Sequence, residues 1–130
     1  GLAAGKILNL VPLVTLTARD LETSLLNILL MMPFGFGLPF ITSFRMKKVV
    51  LIGMLFSVSI ELLQFVTGFL AHIAFRVADV NDVLFNTIGV VIGYVLFVAF
   101  IHTYRHLSRN GEVSANSVLQ YIVERPQIDP

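Results

Sequence analysis

Three long apolar stretches, separated by short polar segments, dominate the chain. They are Leu25–Ile41, Val49 to about Phe75, and Val83 to about Tyr104. About 20 apolar residues are enough for a helix to cross a hydrocarbon core of roughly 30 Å. The pattern therefore predicts an all-α fold, a small polytopic transmembrane helical bundle with three spans in this chain.

Two prolines and two glycines change the expected shape of the first span. Pro33, Gly35, Gly37 and Pro39 all lie in its second half. Each proline removes a backbone donor, and the glycines relax the helix. We therefore expect the first span to be kinked or broken near Pro33.

The segments outside the spans divide the chain into three regions. Residues 1–20 are predicted to form an extracytoplasmic or re-entrant segment, and residues 21–104 the transmembrane domain. Residues 105–130 are predicted to be a polar cytoplasmic tail, with one amphipathic turn around Val118–Val123. Because Leu2–Leu10 is typical of the trailing end of an apolar segment, we expect a fourth, N-terminal span to be missing or truncated.

Lysine and arginine residues set the expected orientation. The loop after the first span holds Arg45, Lys47 and Lys48, and the segment after the third span holds Arg105 and Arg109. Short cytoplasmic loops are enriched in these residue types. Both segments, and with them the C-terminus, are therefore predicted to be cytoplasmic, and the connector between the second and third spans extracytoplasmic.

Composition narrows the range of functions. The chain is 56% hydrophobic and 13% charged with a net charge of +1, which argues against a soluble core and against nucleic acid as a partner. It has no cysteine, so disulfides and a cysteine nucleophile are excluded. We expect no cofactor and no metal: the histidines have no zinc-ligand spacing to the acids, and Asp79 and Asp82 alone are weak evidence for a hard cation.

Polar residues in and beside the spans are the candidate functional groups, because a polar side chain in a bilayer is costly unless it is paired or hydrated. Glu61 and Gln64 share one face of the second span. In the third span, a stripe at steps of three or four residues runs from carboxylates to glycines: Asp79, Asp82, Asn86, Gly89 and Gly93. We expect the ligand-binding residues to converge at the outer half of the membrane; they are Asn27, Glu61, Gln64, Arg76, Asp79, Asp82 and Asn86.

The same residues also have structural interpretations. Glu61 and Gln64 can lock helices together through hydrogen bonds. Asp82 suits the N-cap of the third helix, and Arg76 can be a lone interfacial charge. The candidates for a catalytic residue are Glu61, Asp79 and Asp82, and none of them is singled out.

In order and spacing, these residues resemble the signature of the VanZ-like family. The matching elements are Asn9-x2-Pro12, Asn27-x5-Pro33-x-Gly35, Glu61-x2-Gln64 and Arg76-x2-Asp79-x2-Asp82-x3-Asn86-x2-Gly89-x3-Gly93. The resemblance covers roughly residues 9–104, and structural roles are expected for Asn9, Pro12, Pro33, Gly35, Gly89 and Gly93. VanZ-like proteins are bacterial membrane proteins, and the founding type is associated with low-level resistance to the glycopeptide teicoplanin.

The resemblance and the outward polar residues lead to three functional hypotheses. The first is that the chain binds a membrane lipid or lipid-linked envelope precursor from the bacterial cytoplasmic membrane, with Arg76 on its phosphate. The second is an intramembrane enzyme acting on a lipid-linked substrate. The third is a scaffold subunit that binds a membrane-protein partner, and homo-oligomerisation is compatible with all three.

Overall fold

The computed structural model of the chain describes residues 8–9, 18–70, 78–111 and 117–124. Its elements, in chain order, are β1 (Leu8–Asn9), α1 (Ala18–Ile41), α2 (Met46–Leu70), β2 (Ala78–Asp79), α3 (Val80–Arg109) and α4 (Ser117–Val123). The first three helices are long and apolar enough to cross a membrane. This confirms the predicted all-α bundle with three spans.

The prolines of α1 do not interrupt it. The helix continues through Pro33 and Pro39 to Ile41, so the expectation of a broken helix is wrong. Pro33 lies on an exposed face and Pro39 is fully buried. Because the surrounding turns keep their helical geometry, the loss of one backbone donor does not end the helix. A kink at Pro33 stays a prediction.

The contact between α1 and α3 is the most extensive of the helix pairs, and glycines allow the two backbones to touch. A Cβ atom at Gly93 would lie 2.7 Å from the backbone nitrogen of Phe36, and one at Gly89 would lie 3.0 Å from the carbonyl carbon of Ile28. On α1, a Cβ atom at Gly35 would lie 2.8 Å from the carbonyl carbon of Val90. The helix that approaches the glycine stripe of α3 is therefore α1.

The contacts fix the direction of each helix. Ile28 lies against Gly89 and Phe36 against Phe97, so residue numbers rise together and α1 and α3 run parallel. Between α2 and α3 the numbers move in opposite directions: Ser57 pairs with Asn86, and Gly53 packs on Val90. The α1–α2 connector and the C-terminal end of α3 therefore share one end of the bundle, as the orientation argument requires.

We name the two ends of the bundle the basic end and the acidic end, after the charged residues that they carry. The basic end carries Arg45, Lys47, Lys48, Arg105 and Arg109, and the acidic end carries Asp79 and Asp82. Toward the basic end the core is aromatic, with Phe97 fully buried against the rings of Phe36, Phe40 and Tyr94. The buried polar side chains all lie toward the acidic end; among the described residues these are Ser24, Ser57, Glu61 and Asn86.

The helix α4 corresponds to the amphipathic turn predicted in the tail. It places Ile122 in contact with the buried side chains of Phe97 and Ile101. The preceding helix, α3, continues through Arg109, beyond the predicted limit near Tyr104, and is followed by Gly111 with a φ of 73°. Since charged residues at helix ends reach the aqueous phase, α3 does not need to stop at the edge of its apolar stretch.

Candidate functional site

At the acidic end, a hydrogen bond links α1 to the first turn of α3. The side-chain nitrogen Nδ2 of Asn27 donates to Oδ1 of Asp82 over 2.7 Å, and both side chains are half-buried. A hydrogen bond to an ionised acceptor is stronger than one between neutral groups. The carboxylate of Asp82 is therefore positioned by a neighbouring helix and faces the interior of the bundle.

The N-cap of α3 is Asp79, and this corrects the structural interpretation of Asp82. Asp79 has extended backbone angles, φ −113° and ψ 121°, and its carboxylate accepts a hydrogen bond of 2.9 Å from the backbone nitrogen of Asn81. An N-cap residue satisfies amides that have no partner within the helix. Because Asp79 fills this role, the Asp82 side chain is available for the contact with Asn27.

Deeper in the bundle, Asn86 connects α3 to α2. Its Nδ2 atom donates to the Ser57 hydroxyl oxygen over 2.8 Å, and the two residues are only 4% and 0% exposed. The other amide atom, Oδ1, is fully buried and receives no hydrogen bond from the residues that the structure describes. The structure thus places an unsatisfied acceptor within the helix bundle.

The position of Glu61 follows from the way in which α2 packs against α3. Glu61 is only 8% exposed. It is the last of four buried residues that recur at every fourth position of α2, the others being Val49, Gly53 and Ser57. Gly53 lies against Val90, and Ser57 lies one turn further on against Asn86. One more turn along two antiparallel helices brings Glu61 to the level of Asp82.

We call Asn27, Ser57, Glu61, Asp82 and Asn86 the polar cluster. Four of these residues were candidates from the sequence, whereas Ser57 was not. The signal that was available for Ser57 is its spacing of four from Glu61, which places both on one helical face. A buried serine opposite a buried amide is a common form of interhelical hydrogen bond in membranes.

The other candidates are less closely connected. Gln64 is half-buried one turn beyond Glu61, and its side chain makes no hydrogen bond to another described residue. The backbone of Asn9 pairs in parallel with that of Asp79, which places Leu8 and Asn9 at the acidic end. Arg76 and Pro12 lie outside the described residues.

The described part of the chain contains no group of three or more histidine, aspartate or glutamate side chains placed to hold a metal ion. The polar cluster combines two carboxylates with two amides and a hydroxyl. Such a set offers both acceptors and donors. Its chemistry suits recognition of a ligand that carries hydroxyl, amide or ammonium groups.

The fold and the cluster together define a class: a multi-pass membrane protein in which the buried polar side chains, as far as the chain is described, lie in one half of a three-helix bundle. The family model described as VanZ/LLP1 matches residues 2–102. The chain therefore belongs to the VanZ/LLP1 family. No curated protein and no solved structure is significantly similar to the chain.

A double-mutant cycle tests whether Asn27 and Asp82 stabilise the bundle through their contact. We expect Asn27→Ala and Asp82→Ala to show a coupling energy of about 1 kcal/mol, since polar contacts between membrane helices average somewhat less and a charged acceptor strengthens them. The measurement is unfolding of each variant in mixed detergent micelles. As a control, Asn27→Ala combined with the exposed Thr103→Ala should be additive, and equal coupling in both pairs would refute the assignment.

Proposed function

We propose that this protein binds the polar headgroup of a membrane lipid or lipid-linked envelope precursor at the polar cluster. In this proposal the acidic end faces outward from a bacterial cytoplasmic membrane and the C-terminus is cytoplasmic. The basic residues gathered at the opposite end support that orientation. Altered access to such a precursor is how the protein would contribute to teicoplanin-type glycopeptide resistance.

The observation that carries the proposal is the buried Oδ1 atom of Asn86. A buried acceptor without a donor costs about 1–3 kcal/mol, and most buried polar groups in proteins are satisfied. An apolar residue in this position would avoid the cost. A ligand hydroxyl, amide or ammonium that donates to Oδ1 would recover it, and this gives Asn86 a reason to be polar.

The depth of the cluster supports a headgroup as the ligand. Asn86 lies one turn, about 6 Å, below Asp82 along α3. Below Asn86, the buried side chains of the described core are apolar or aromatic, beginning with Val90 and continuing to Phe97 and Ile101. The polar groups therefore extend only a short way into the bilayer, as expected for binding a headgroup and not for passage across the membrane.

In this proposal the remaining candidates complete the headgroup site. Arg76 would engage a phosphate with its planar guanidinium, and Gln64 would provide further hydrogen bonds. In the sequence, Gln64 follows Glu61 by three residues and Arg76 precedes Asp79 by three. The carboxylates Glu61 and Asp82 would accept from hydroxyl or ammonium groups.

The test is native mass spectrometry of the purified chain with Asn86→Leu, which conserves volume and removes both amide atoms. If Asn86 binds ligand, we expect about fivefold less retained lipid, the loss of roughly one hydrogen bond. The free energy of unfolding should be unchanged or higher, because removing a half-satisfied buried amide relieves its cost. Ser57 can bond instead to the carbonyl one turn before it.

The matched control is Thr87→Val, the next position on α3. Its hydroxyl donates only to the backbone carbonyl of Val83, over 2.7 Å, so this variant should retain lipid as the wild type does. Equal lipid retention by Asn86→Leu and the wild type would refute the headgroup site. Lower stability of Asn86→Leu, with lipid retention unchanged, would instead favour a structural network and the scaffold hypothesis.

The alignment of α2 with α3, which brings Glu61 to the level of Asp82, also favours a second candidate function, an intramembrane enzyme. Two carboxylates at one level, Glu61 more buried than Asp82, form an arrangement that general acid and base catalysis uses. Glu61→Gln keeps the size and removes the acid. Loss of product formation from a lipid-linked substrate in this variant, with lipid retention intact, would support the enzyme; turnover that survives replacement of Glu61, Asp79 and Asp82 would exclude it.

A further inference from the structure

The basic end of α3 is partly covered by α4. Ile122 is 4% exposed and packs on Phe97 and Ile101, and the guanidinium of Arg105 donates to the backbone carbonyl of Val123. Val118 and Tyr121 point the other way and are about two-thirds exposed. The short helix therefore has one apolar contact with the bundle and apolar groups directed outward.

Charge spacing along α3 fixes the depth of this region. Residues 83–104 contain no charged residue, and at 1.5 Å per residue this stretch is about 33 Å long. That length matches a hydrocarbon core of roughly 30 Å, outside which the lipid phosphates lie. Arg105 therefore stands at the boundary of the core, and the outward groups of α4, an aliphatic and a tyrosine side chain, suit the interface.

Two grooves border the arginines at this boundary. One has a volume of about 440 Å³ and is lined by Tyr104, Arg105, Ser108, Arg109, Gln120, Val123 and Glu124. The other, of about 360 Å³, is lined by His102, Arg105, His106, Arg109 and Asn110. Both grooves share Arg105 and Arg109, which lie one turn apart on α3.

The two arginines differ in how they are held. Arg105 is half-buried and tied to α4, whereas Arg109 is exposed and makes no hydrogen bond or ion pair with another described residue. The carboxylate in the larger groove, that of Glu124, accepts a hydrogen bond from Gln120 over 3.3 Å. The lining therefore offers a guanidinium available for a ligand, beside hydroxyl and amide groups.

We propose that this region is a second lipid site, which binds the phosphate of an anionic phospholipid in the leaflet at the basic end. A guanidinium fork pairs with two phosphate oxygens at once, and Arg109 is the residue positioned to do so. Ser108 supplies a hydroxyl donor, and Arg105 adds positive charge while holding α4 in place. The site lies at the opposite end of the bundle from the polar cluster and is independent of the headgroup proposal.

The experiment titrates the purified chain in detergent with short-chain phosphatidylglycerol and with phosphatidylcholine, and counts bound lipid by native mass spectrometry. Phosphatidylglycerol should bind in preference. Arg109→Gln should weaken its binding about fivefold, the loss expected for one arginine at an anionic surface. Arg109→Lys, which keeps the charge and loses the fork, should show a smaller loss. Because Arg109 is exposed, these variants should melt at the wild-type temperature.

Arg45→Gln is the matched control, since Arg45 is an exposed arginine at the same end that does not line either groove. It should bind phosphatidylglycerol as the wild type does. An equal loss for Arg45→Gln and Arg109→Gln, or no loss for Arg109→Gln, would overturn the site. Binding of inorganic phosphate alone that depends on Arg109, and that displaces the lipid at millimolar concentration, would overturn the lipid assignment in favour of free phosphate.

Discussion

Replacing Gly93 by alanine is expected to lower the free energy of unfolding by about 3 kcal/mol, the upper part of the usual range for overpacking. The new methyl group would lie within 3.0 Å of backbone atoms of Gly35 and Phe36 on α1. Backbone atoms of a helix cannot rotate away as a flexible side chain can, so α1 and α3 must separate. The measurement is SDS-induced unfolding in mixed micelles, followed by circular dichroism.

Gly37→Ala is the control for this prediction, because a Cβ atom at Gly37 would meet nothing within 4 Å. Here the higher helix propensity of alanine should stabilise the chain by up to about 1 kcal/mol. The two substitutions should therefore change stability in opposite directions. Wild-type stability of Gly93→Ala would mean that the backbones of α1 and α3 are not in contact.

Phe97→Ala should cost about 2 kcal/mol of unfolding free energy. The ring is fully buried, and its centroid lies 4.9 Å from that of Phe40 in an edge-to-face arrangement. In water such a change costs more. In a bilayer the unfolded side chain remains in an apolar solvent, so only the cavity and the lost packing contribute.

Phe69→Ala removes the same ring from the exposed face of α2, where the side chain is 75% exposed. Its unfolding free energy should stay within about 0.5 kcal/mol of the wild type. Both variants can be compared in the same SDS titration. Similar losses at Phe97 and Phe69 would indicate a general effect of removing aromatic surface, and would contradict the assignment of Phe97 to the packed core.

The spans could be predicted from sequence because their signal is local. Each apolar stretch is long enough to cross a bilayer whatever its partners are. The amphipathic turn that corresponds to α4 could also be predicted because its pattern is local. Of the two alternatives expected at Pro33, a kink or a break, the break does not occur, because a missing donor alone does not decide whether a helix ends. The limit near Tyr104 was predicted for the apolar stretch, where hydropathy falls, whereas helical hydrogen bonding in α3 continues to Arg109.

The polar cluster was only partly predictable. The stripe from Asp82 to Gly93 follows from helical periodicity, because residues three or four positions apart lie on the same face of a helix. The partner of Asn86 depends on how α2 is rotated and shifted relative to α3, and nothing in a single sequence fixes that register. The exchange of roles between Asp79 and Asp82 has a similar cause, because the cap is decided by the backbone angles at the first residue outside the helix.

The parallel contact of α1 and α3 also constrains how the chain is assembled during synthesis. The first helix enters the membrane before its main partner has been translated, and the helix that follows it, α2, makes a much smaller contact with it than α3 does. The face around Gly35 must therefore remain without its close neighbour until α3 leaves the ribosome. The main contacts of both α1 and α2 are with α3, so most of the packing between the helices can form only after α3 has entered the membrane.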